Sequence, residues 1–314
     1  MPSPKPVAAD APPRATVPGP LGLILPTYPQ RRARPPGAEE LAGICRRAEC
    51  AGAGALWACD HLFWHSPSIE CLSAVNVAAL STHRATVGSC VLQLPLRDTA
   101  SVAKQAASIS QLSGGRLVLG VGIGSHRGEY EAAGARFETR GARLDEAIGA
   151  IRHAWLGGGV GSYRQLPEQG RVPMWVGGSS EAALRRSARL GDGWIPHFVA
   201  PSDYEASLER LDKEADRAGR DPAEISRAIV VFVVIGGSAA RDDGLEWMGS
   251  LYSLPARKFG NHLVSGDIDH VADSLLRYFE AGADHVAVFV AADEPMAQFE
   301  ELAGRMCELR PTLR

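Results

Sequence analysis

The sequence predicts an α/β fold: a single (β/α)8 TIM barrel with insertions in the loops at the C-terminal face. Eight short apolar runs alternate with helix-like runs along the 314 residues, which matches the number of units and the length that this barrel needs. The apolar runs are continuous and do not alternate with polar residues, as expected for parallel strands buried on both faces. These observations favour the barrel over an open, doubly wound parallel sheet.

One stretch of the sequence is an apolar run that ends in several glycines: RLVLGVGIGSHRGE at Arg116–Glu129. In a doubly wound sheet, such a stretch could carry the motif that binds a dinucleotide. That motif is Gly-x-Gly-x-x-Gly directly after a strand. Counted from Gly120 the last position is Ser125, and counted from Gly122 it is Arg127. Neither start fits, so the stretch does not indicate a nicotinamide dinucleotide site.

The strands are predicted from runs rich in Val, Ile, Leu and Trp, and the helices from longer runs with polar residues on one side. The predicted strands are Leu21–Pro26, Ala55–Cys59, Thr86–Leu92, Leu117–Gly122, Pro173–Val176, Gly193–Pro196, Ile229–Ile235 and His285–Val290. The predicted helices are Gly37–Gly52, Ile69–Ser81, Thr99–Leu112, Arg140–Trp155, Glu181–Leu190, Ser202–Ala218 and Ile268–Ala281.

The composition suits a globular chain with a substantial core, because 45% of the residues are hydrophobic and 22% are charged. A net charge of −3 provides no basic field for nucleic acid or for an anionic membrane. No apolar run approaches the roughly 20 residues of a membrane span. Residues 1–18 are rich in Pro and Ala without a signal-peptide core, which predicts a disordered tail before one domain at 19–314.

The six cysteines form no C-x-x-C pair, and most of them lie within apolar runs. Buried thiols of a cytoplasmic protein are therefore favoured over disulfides or a zinc site. The pair His61 and His65 lacks a third ligand in the sequence, so no metal site is predicted.

The second strand is followed by Asp60 and His61, and then by Phe63, Trp64 and His65. The active sites of this barrel lie at the C-terminal ends of the strands. A histidine with a neighbouring carboxylate serves as general acid or base near neutral pH. The alternative is a structural His–Asp pair that serves only the fold.

Small residues mark the ends of the third and fourth strands. Ser89 and Cys90 would allow a bulge pressed against a ring system. Gly120, Gly122 and Gly124 would leave room for a flat ligand over the barrel mouth. Crowding inside the barrel is the alternative explanation of these glycines.

The fifth strand ends in Gly177, Gly178, Ser179 and Ser180, directly before a predicted helix. Free backbone N–H groups, the helix dipole and two hydroxyls together favour a bound phosphate. The alternative is an ordinary serine N-cap after a tight turn.

Four blocks in order give the chain a wider resemblance: LSGGRLVLGVGIG, EYEAAGARFETRGARLDEAIGAIRHAW, VPMWVGGSSEAALRRSARLGDGW and VADSLLRYFEAGADHV. They resemble the bacterial luciferase-like superfamily, TIM-barrel oxidoreductases that use reduced FMN or its deazaflavin analogue, coenzyme F420. The resemblance extends from about Leu21 to the C-terminal helix. The alanine and arginine usage is similar to that of actinobacterial members.

The resemblance implies roles for particular residues. His61 would face the cofactor, and His61 and Asp60 would be the catalytic residues. A non-proline cis peptide in a strand-three bulge maps to Cys90–Val91, behind the ring system. The phosphate loop maps to Gly177, Gly178, Ser179 and Ser180, and the loop Gly122–Gly124 would lie along the cofactor. A homodimer is also expected.

Two cofactors remain open. Ser179 and Ser180 resemble the loop of FMN-dependent monooxygenases, and Ser125 stands where deazaflavin sugar dehydrogenases place an acidic residue. The sequence from Asp60 to Trp64 is instead similar to the deazaflavin enzymes. The serine features outweigh this similarity and favour a monooxygenase that uses reduced FMN from a separate flavin reductase. A deazaflavin-dependent hydride-transfer reductase is the alternative, and a non-catalytic flavin-binding barrel is a third interpretation.

The predicted substrate is a small organic molecule in a partly aromatic pocket that includes Trp64, His126 and His197. Two segments on the C-terminal side are candidates for a lid over it, Gly157–Glu168 and Arg241–Gly266.

Overall fold

The computed structural model describes residues 19–29, 34–155 and 172–309. The predicted tail at 1–18 and the lid candidate Gly157–Glu168 lie outside these ranges. The described strands form one parallel sheet in the order β6-β5-β4-β3-β2-β1-β9-β7-β8, and an additional β6–β7 pairing closes it. The predicted TIM barrel is confirmed.

The elements follow one another as alternating strands and helices. The strands are β1 Leu21–Ile24, β2 Ala55–Ala58, β3 Thr86–Gln93, β4 Leu117–Gly122, β5 Met174–Gly177, β6 Gly193–Ile195, β7 Ser226–Ile235, β8 Leu263–Gly266 and β9 His285–Val290. The helices are α1 Ala38–Cys50, α2 Cys71–Ser81, α3 Thr99–Leu112, α4 Arg127–Ala132, α5 Arg140–Trp155, α6 Glu181–Leu190, α7 Pro201–Arg217, α8 Ser238–Tyr252, α9 Ile268–Glu280 and α10 Pro295–Leu309.

Side-chain caps start several of these helices where the chain leaves the strand ends. Asp98 accepts a hydrogen bond from the Ser101 N–H at the start of α3, and Asp267 does the same for the His270 N–H at the start of α9. Such caps satisfy backbone N–H groups that have no partner inside the helix.

The lid candidate after β7 contains regular secondary structure that the sequence did not predict. Arg241–Gly266 contains most of helix α8, a 3-10 turn at Ala256–Phe259 and the short strand β8. β8 pairs only with the end of β7, from Phe232 to Ile235, so it lies outside the closed ring of eight strands. Four residues without alternation give too weak a pattern to predict a strand.

The barrel interior is filled by aromatic rings that face glycines. A Cβ atom on Gly88 would lie 2.5 Å from the Trp57 ring, and one on Gly193 would lie 2.5 Å from the Trp175 ring. The two indole rings pack against each other with centroids 5.3 Å apart. The interior is therefore a packed core, and the free volume for a ligand must lie at the mouth.

His285 closes the opposite end of the barrel as a neutral, fully buried residue. Its Nε2 accepts a hydrogen bond from Trp57 Nε1 at 2.9 Å, and its Nδ1 lies 2.6 Å from the Gly19 carbonyl oxygen. Burial lowers the pKa of His285 to about 4, although the Gly19 hydrogen bond opposes the shift.

This pKa predicts a specific acid sensitivity. The unfolded chain takes up a proton on His285 near pH 6.5, whereas the folded protein does so only near pH 4. The free energy of unfolding should therefore be unaffected by His285 above pH 6.5 and should fall by about 3 kcal/mol between pH 6.5 and 4. Urea unfolding at several pH values measures it, and His285→Gln should flatten this part of the profile. An unchanged profile in that variant contradicts the assignment.

Candidate active site

His61 follows β2 at the barrel mouth, and a carboxylate holds its ring. The carboxylate is Glu129 of α4, whose Oε2 lies 2.8 Å from His61 Nδ1. The Glu129 side chain is fully buried, and 21% of the His61 side chain is exposed. The imidazole is thus fixed at one nitrogen while the ring remains accessible from the mouth.

Glu129 is an ionised acceptor. Its Oε1 accepts the backbone N–H groups of Leu62 at 2.9 Å and Phe63 at 3.2 Å, and Gln93 Nε2 lies 3.2 Å from its Oε2. Burial acts to raise the pKa of Glu129, but the hydrogen bond and charge of His61 and these further donors lower it below its ordinary value. A negative charge therefore stays beside His61 Nδ1.

Asp60, predicted as the partner of His61, has a different partner in the structure. Its Oδ1 binds Arg97 Nη2 at 2.5 Å, and its Oδ2 accepts the Gln93 backbone N–H at 2.8 Å. Burial raises the pKa of the Asp60 carboxyl, and the Arg97 charge opposes that shift. Both carboxylate oxygens of Asp60 are thus bound to residues other than His61.

Trp64 lies flat against His61, with ring centroids 3.6 Å apart and an angle of 17° between the planes. His126 meets the Trp64 ring edge-on at 5.3 Å, so these predicted pocket residues do come together. Trp64 Nε1 donates to the Leu251 carbonyl oxygen at 2.6 Å. This bond ties the β2 end to the last turn of α8, which therefore packs beside the mouth.

The predicted cis peptide at Cys90–Val91 is present, within a register shift between Ser89 and Leu92 that bulges β3 against β4. The bulge explains the glycines on the neighbouring strands. A Cβ on Gly122 would lie 2.5 Å from Val91 Cγ2, and one on Gly177 would lie 2.8 Å from Val91 Cγ1. These glycines make room for Val91.

The predicted phosphate loop lies at the surface between β5 and α6. Gly178 has φ +105°, a conformation that favours glycine, and Ser179 and Ser180 are exposed. Ser180 caps α6, because its Oγ accepts the Ala183 N–H at 3.2 Å. The described contacts give the Ser179 hydroxyl no such structural role.

Replacing Ser179 by alanine tests this loop without disturbing the helix cap. If the loop binds a phosphate, the double change Ser179→Ala, Ser180→Ala should weaken FMN or F420 binding by about 1–3 kcal/mol, and Ser179→Ala alone should account for part of that loss. Fluorescence titration measures both affinities. The matched control is Ser101→Ala, an exposed serine in the first turn of α3. Wild-type affinity for both compounds in the double variant contradicts the assignment.

His197 lies at the end of β6, across the eight-stranded ring from β2. Its ring is exposed and meets Phe198, with centroids 4.6 Å apart. Phe198 has φ +58°, a strained backbone for a residue with a Cβ, and packs on Phe232 at 5.1 Å and on Tyr252 at 5.6 Å. Tyr252 also meets Trp64 at 6.3 Å, so α8 links His197 to the His61 side of the mouth.

Three site residues were not found from the sequence: Gln93, Arg97 and Glu129. Glu129 lies 68 positions after His61, and only the fold brings the two together. Its position seven residues after the end of β4 was the one available signal, because helix starts after barrel strands face the mouth.

Absences can be stated only for the described ranges. There, no three His, Cys, Asp or Glu side chains are grouped so as to bind a metal ion. No helix within those ranges combines the length and apolar character required to cross a membrane.

Comparison with known proteins identifies similar sequences. The chain is 34% identical over 191 residues to a phthiodiolone/phenolphthiodiolone dimycocerosates ketoreductase of Mycobacterium tuberculosis, covering 56% of this chain and 49% of that protein. It thus spans about half the length of this curated relative. An uncharacterized protein of the same species is also 34% identical over 191 residues, with 57% and 66% covered.

Two solved structures share the fold at low sequence identity. An F420-dependent secondary alcohol dehydrogenase, in complex with an F420-acetone adduct, has a TM-score of 0.76 at 19% identity and covers 92% of this chain and 99% of its own. The monooxygenase RslO1 from Streptomyces bottropensis has a TM-score of 0.76 at 18% identity, with 94% and 100% covered. The luciferase-like monooxygenase family model matches residues 20–245. The chain therefore belongs to the luciferase-like monooxygenase family, a family of oxidoreductases.

Proposed function

We propose that this protein is a deazaflavin-dependent oxidoreductase that interconverts a ketone and its secondary alcohol, with His61 exchanging the hydroxyl proton. The observation that carries the proposal is the His61–Glu129 pair at the mouth, in which Nδ1 lies 2.8 Å from a fully buried carboxylate. A ketone becomes an alcohol by taking up one hydride at carbon and one proton at oxygen. An imidazole held in this way is suited to handling that proton.

The proton exchange follows from the hydrogen bonds of the ring. Because Glu129 is an acceptor, the neutral His61 ring carries its proton on Nδ1 and its lone pair on Nε2. Nε2 takes the hydroxyl proton of an alcohol, and the Glu129 carboxylate stabilises the imidazolium that forms. In the other direction, the same nitrogen returns the proton to the carbonyl oxygen.

The residues at the mouth fit a flavin-type group. The bulge at Cys90–Val91 offers the half-buried Val91 side chain, and the exposed Ser179 hydroxyl lies at the start of α6. Thr27 Oγ1, after β1, and His126 Nδ1, after β4, are buried polar atoms without a partner among the described residues. Val91, Ser179 and the α6 start would hold the group, which when bound supplies the hydride.

Two of the similar proteins support this reaction class, while the monooxygenase RslO1 matches the fold equally well. The relative at 34% identity is a ketoreductase, and one structural neighbour oxidises secondary alcohols with F420. Trp64 contacts Leu251 and Tyr252 beside the mouth, and this apolar, aromatic lining favours an apolar ketone.

The proposal is tested by anaerobic mixing of the protein with reduced F420 and a series of ketones, from acetone to long-chain methyl ketones. Oxidised F420 should appear, with faster turnover for the more apolar members. His61→Ala is the matched control, because any oxidation of F420 that persists in this variant does not depend on His61. Tight F420 binding with no oxidation by any ketone would contradict the proposal and favour the non-catalytic barrel.

A reduced-FMN monooxygenase is the second candidate, and the exposed Ser179 and Ser180 at the start of α6 favour it. The terminal phosphate of FMN has two ionisable oxygens, which could accept hydrogen bonds from two serine hydroxyls and from the free backbone N–H groups at a helix start. This candidate requires a separate flavin reductase. A higher affinity for FMN than for F420, together with oxygen uptake stimulated by substrate, would favour it over the ketone reductase.

A further inference from the structure

We infer that Gln93, a residue at the end of β3 without an assigned role, is the positioning residue that holds the Glu129–His61 pair in its working orientation. The inference rests on the proposed role of His61, but it concerns how the protein holds the ring before any ligand binds. It also makes Asp60 a positioning residue that acts through Gln93.

The Gln93 carboxamide lies at the centre of the network and is 3% exposed. Its Nε2 is 3.0 Å from the Asp60 carbonyl oxygen, 3.2 Å from Glu129 Oε2 and 3.0 Å from His61 Nδ1. Because His61 Nδ1 directs its own proton to Glu129, the two N–H groups of Gln93 donate to the Asp60 carbonyl oxygen and to the Glu129 carboxylate. Gln93 thereby links the Glu129 carboxylate by hydrogen bonds to the backbone of the residue that precedes His61.

Of the two carboxamide orientations, the observed one is the less unfavourable, although it leaves the buried Oε1 without a hydrogen-bond partner among the described residues. Rotated by half a turn, it would place Oε1 against the Glu129 carboxylate and the Asp60 carbonyl, both of which are acceptors. In the observed orientation Oε1 lies beside Gly124, where a Cβ would be 2.0 Å away. Gly124 therefore makes room for Gln93, which explains the last glycine of the β4 loop.

Asp60 and Arg97 hold the backbone of Gln93. Asp60 Oδ2 accepts the Gln93 N–H at 2.8 Å, and Asp60 Oδ1 binds Arg97 Nη2 at 2.5 Å. Arg97 Nη1 is in turn 3.1 Å from Glu70 Oε1, at the protein surface. The Asp60 carboxylate thus fixes the position of the Gln93 backbone, and with it the position of the side chain that contacts Glu129.

The exchange of one atom breaks this arrangement. Gln93→Glu replaces the Nε2 donor by an oxygen that faces the Glu129 carboxylate, and two carboxylates at this distance repel each other. Glu129 should then withdraw from His61 Nδ1. The ring would lose its preference for the tautomer with a proton on Nδ1.

The test uses protein labelled with ¹⁵N-histidine, and the His61 signals are assigned by comparison with His61→Asn. In the wild type, long-range ¹H–¹⁵N spectra should show His61 with its proton on Nδ1. In Gln93→Glu that pattern should become a mixture of tautomers, F420 affinity should stay within about twofold, and ketone turnover should fall about 10–100-fold, the scale of a misplaced catalytic group. Gln105→Glu, the same change at an exposed position on α3, should match the wild type.

Gln93→Met keeps the side-chain length, removes the donor and serves as the second variant if the glutamate does not fold. An unchanged His61 tautomer in either folded variant overturns the inference. If neither variant folds, Gln93 belongs to the structural core and the inference also fails. The spectra need no ligand, so this failure is distinct from a failure of the proposed reaction, which the wild-type hydride assay alone reveals.

Discussion

Replacement of His61 by alanine is expected to lower turnover by about 10²–10⁴-fold, the usual contribution of a general acid or base. The ring is the accessible member of the pair with Glu129, and no other imidazole at the mouth contacts a carboxylate within the described part of the chain. Affinity for F420 should change little, because the proposed phosphate loop after β5 is separated from β2 by β3 and β4.

Steady-state and single-turnover kinetics of ketone reduction measure this effect. The matched control is His83→Ala, an exposed histidine before β3 at the opposite end of the barrel. Full turnover by the His61 variant would remove this residue from the mechanism. A loss of turnover that follows a loss of cofactor affinity would make His61 a binding residue instead.

Glu129→Gln should lower turnover by about 10²-fold or more while the overall shape of the side chain is kept. The amide cannot accept four donors, and its NH₂ group would face either the Leu62 and Phe63 N–H groups or the His61 Nδ1–H. The charge that stabilises the imidazolium is also lost. We expect the larger effect on kcat and a smaller one on KM.

The control for this change is Glu131→Gln, an exposed glutamate on the same short helix. Thermal unfolding of both variants separates a loss of stability from a loss of chemistry. If Glu129→Gln turns over at the wild-type rate, the buried carboxylate supports only the fold, and the proposed proton exchange lacks its partner.

The barrel could be predicted from the sequence because the strands that form it are continuous apolar runs. The IVVFVVI and HVAVFV runs correspond to parts of β7 and β9, which pair over six positions. β8 and α8 were missed, since neither combines length with a clear periodicity. The cis peptide followed only from the family resemblance, because spacing and composition carry no signal for it.

The site was predicted in part, and its errors have physical causes. His61, Trp64 and His126 do come together, as ring contacts show. Adjacency in sequence predicts Asp60 as the partner of His61, but in the structure the Asp60 carboxylate binds Arg97 and the Gln93 N–H. The true partner, Glu129, comes from a distant helix. Likewise, glycine at a strand end indicates missing side-chain volume without indicating whether a ligand or another side chain fills it.

An isotope experiment distinguishes hydride transfer to a carbonyl carbon from oxygenation. Wild-type protein is given F420 reduced with deuterium at the carbon that donates hydride, together with an apolar ketone, under ¹⁸O₂. We expect one deuterium on the carbinol carbon of the product, no ¹⁸O in the product, and the same rate without oxygen. A product that carries ¹⁸O and forms only when oxygen is present would exclude hydride transfer as the reaction of this protein.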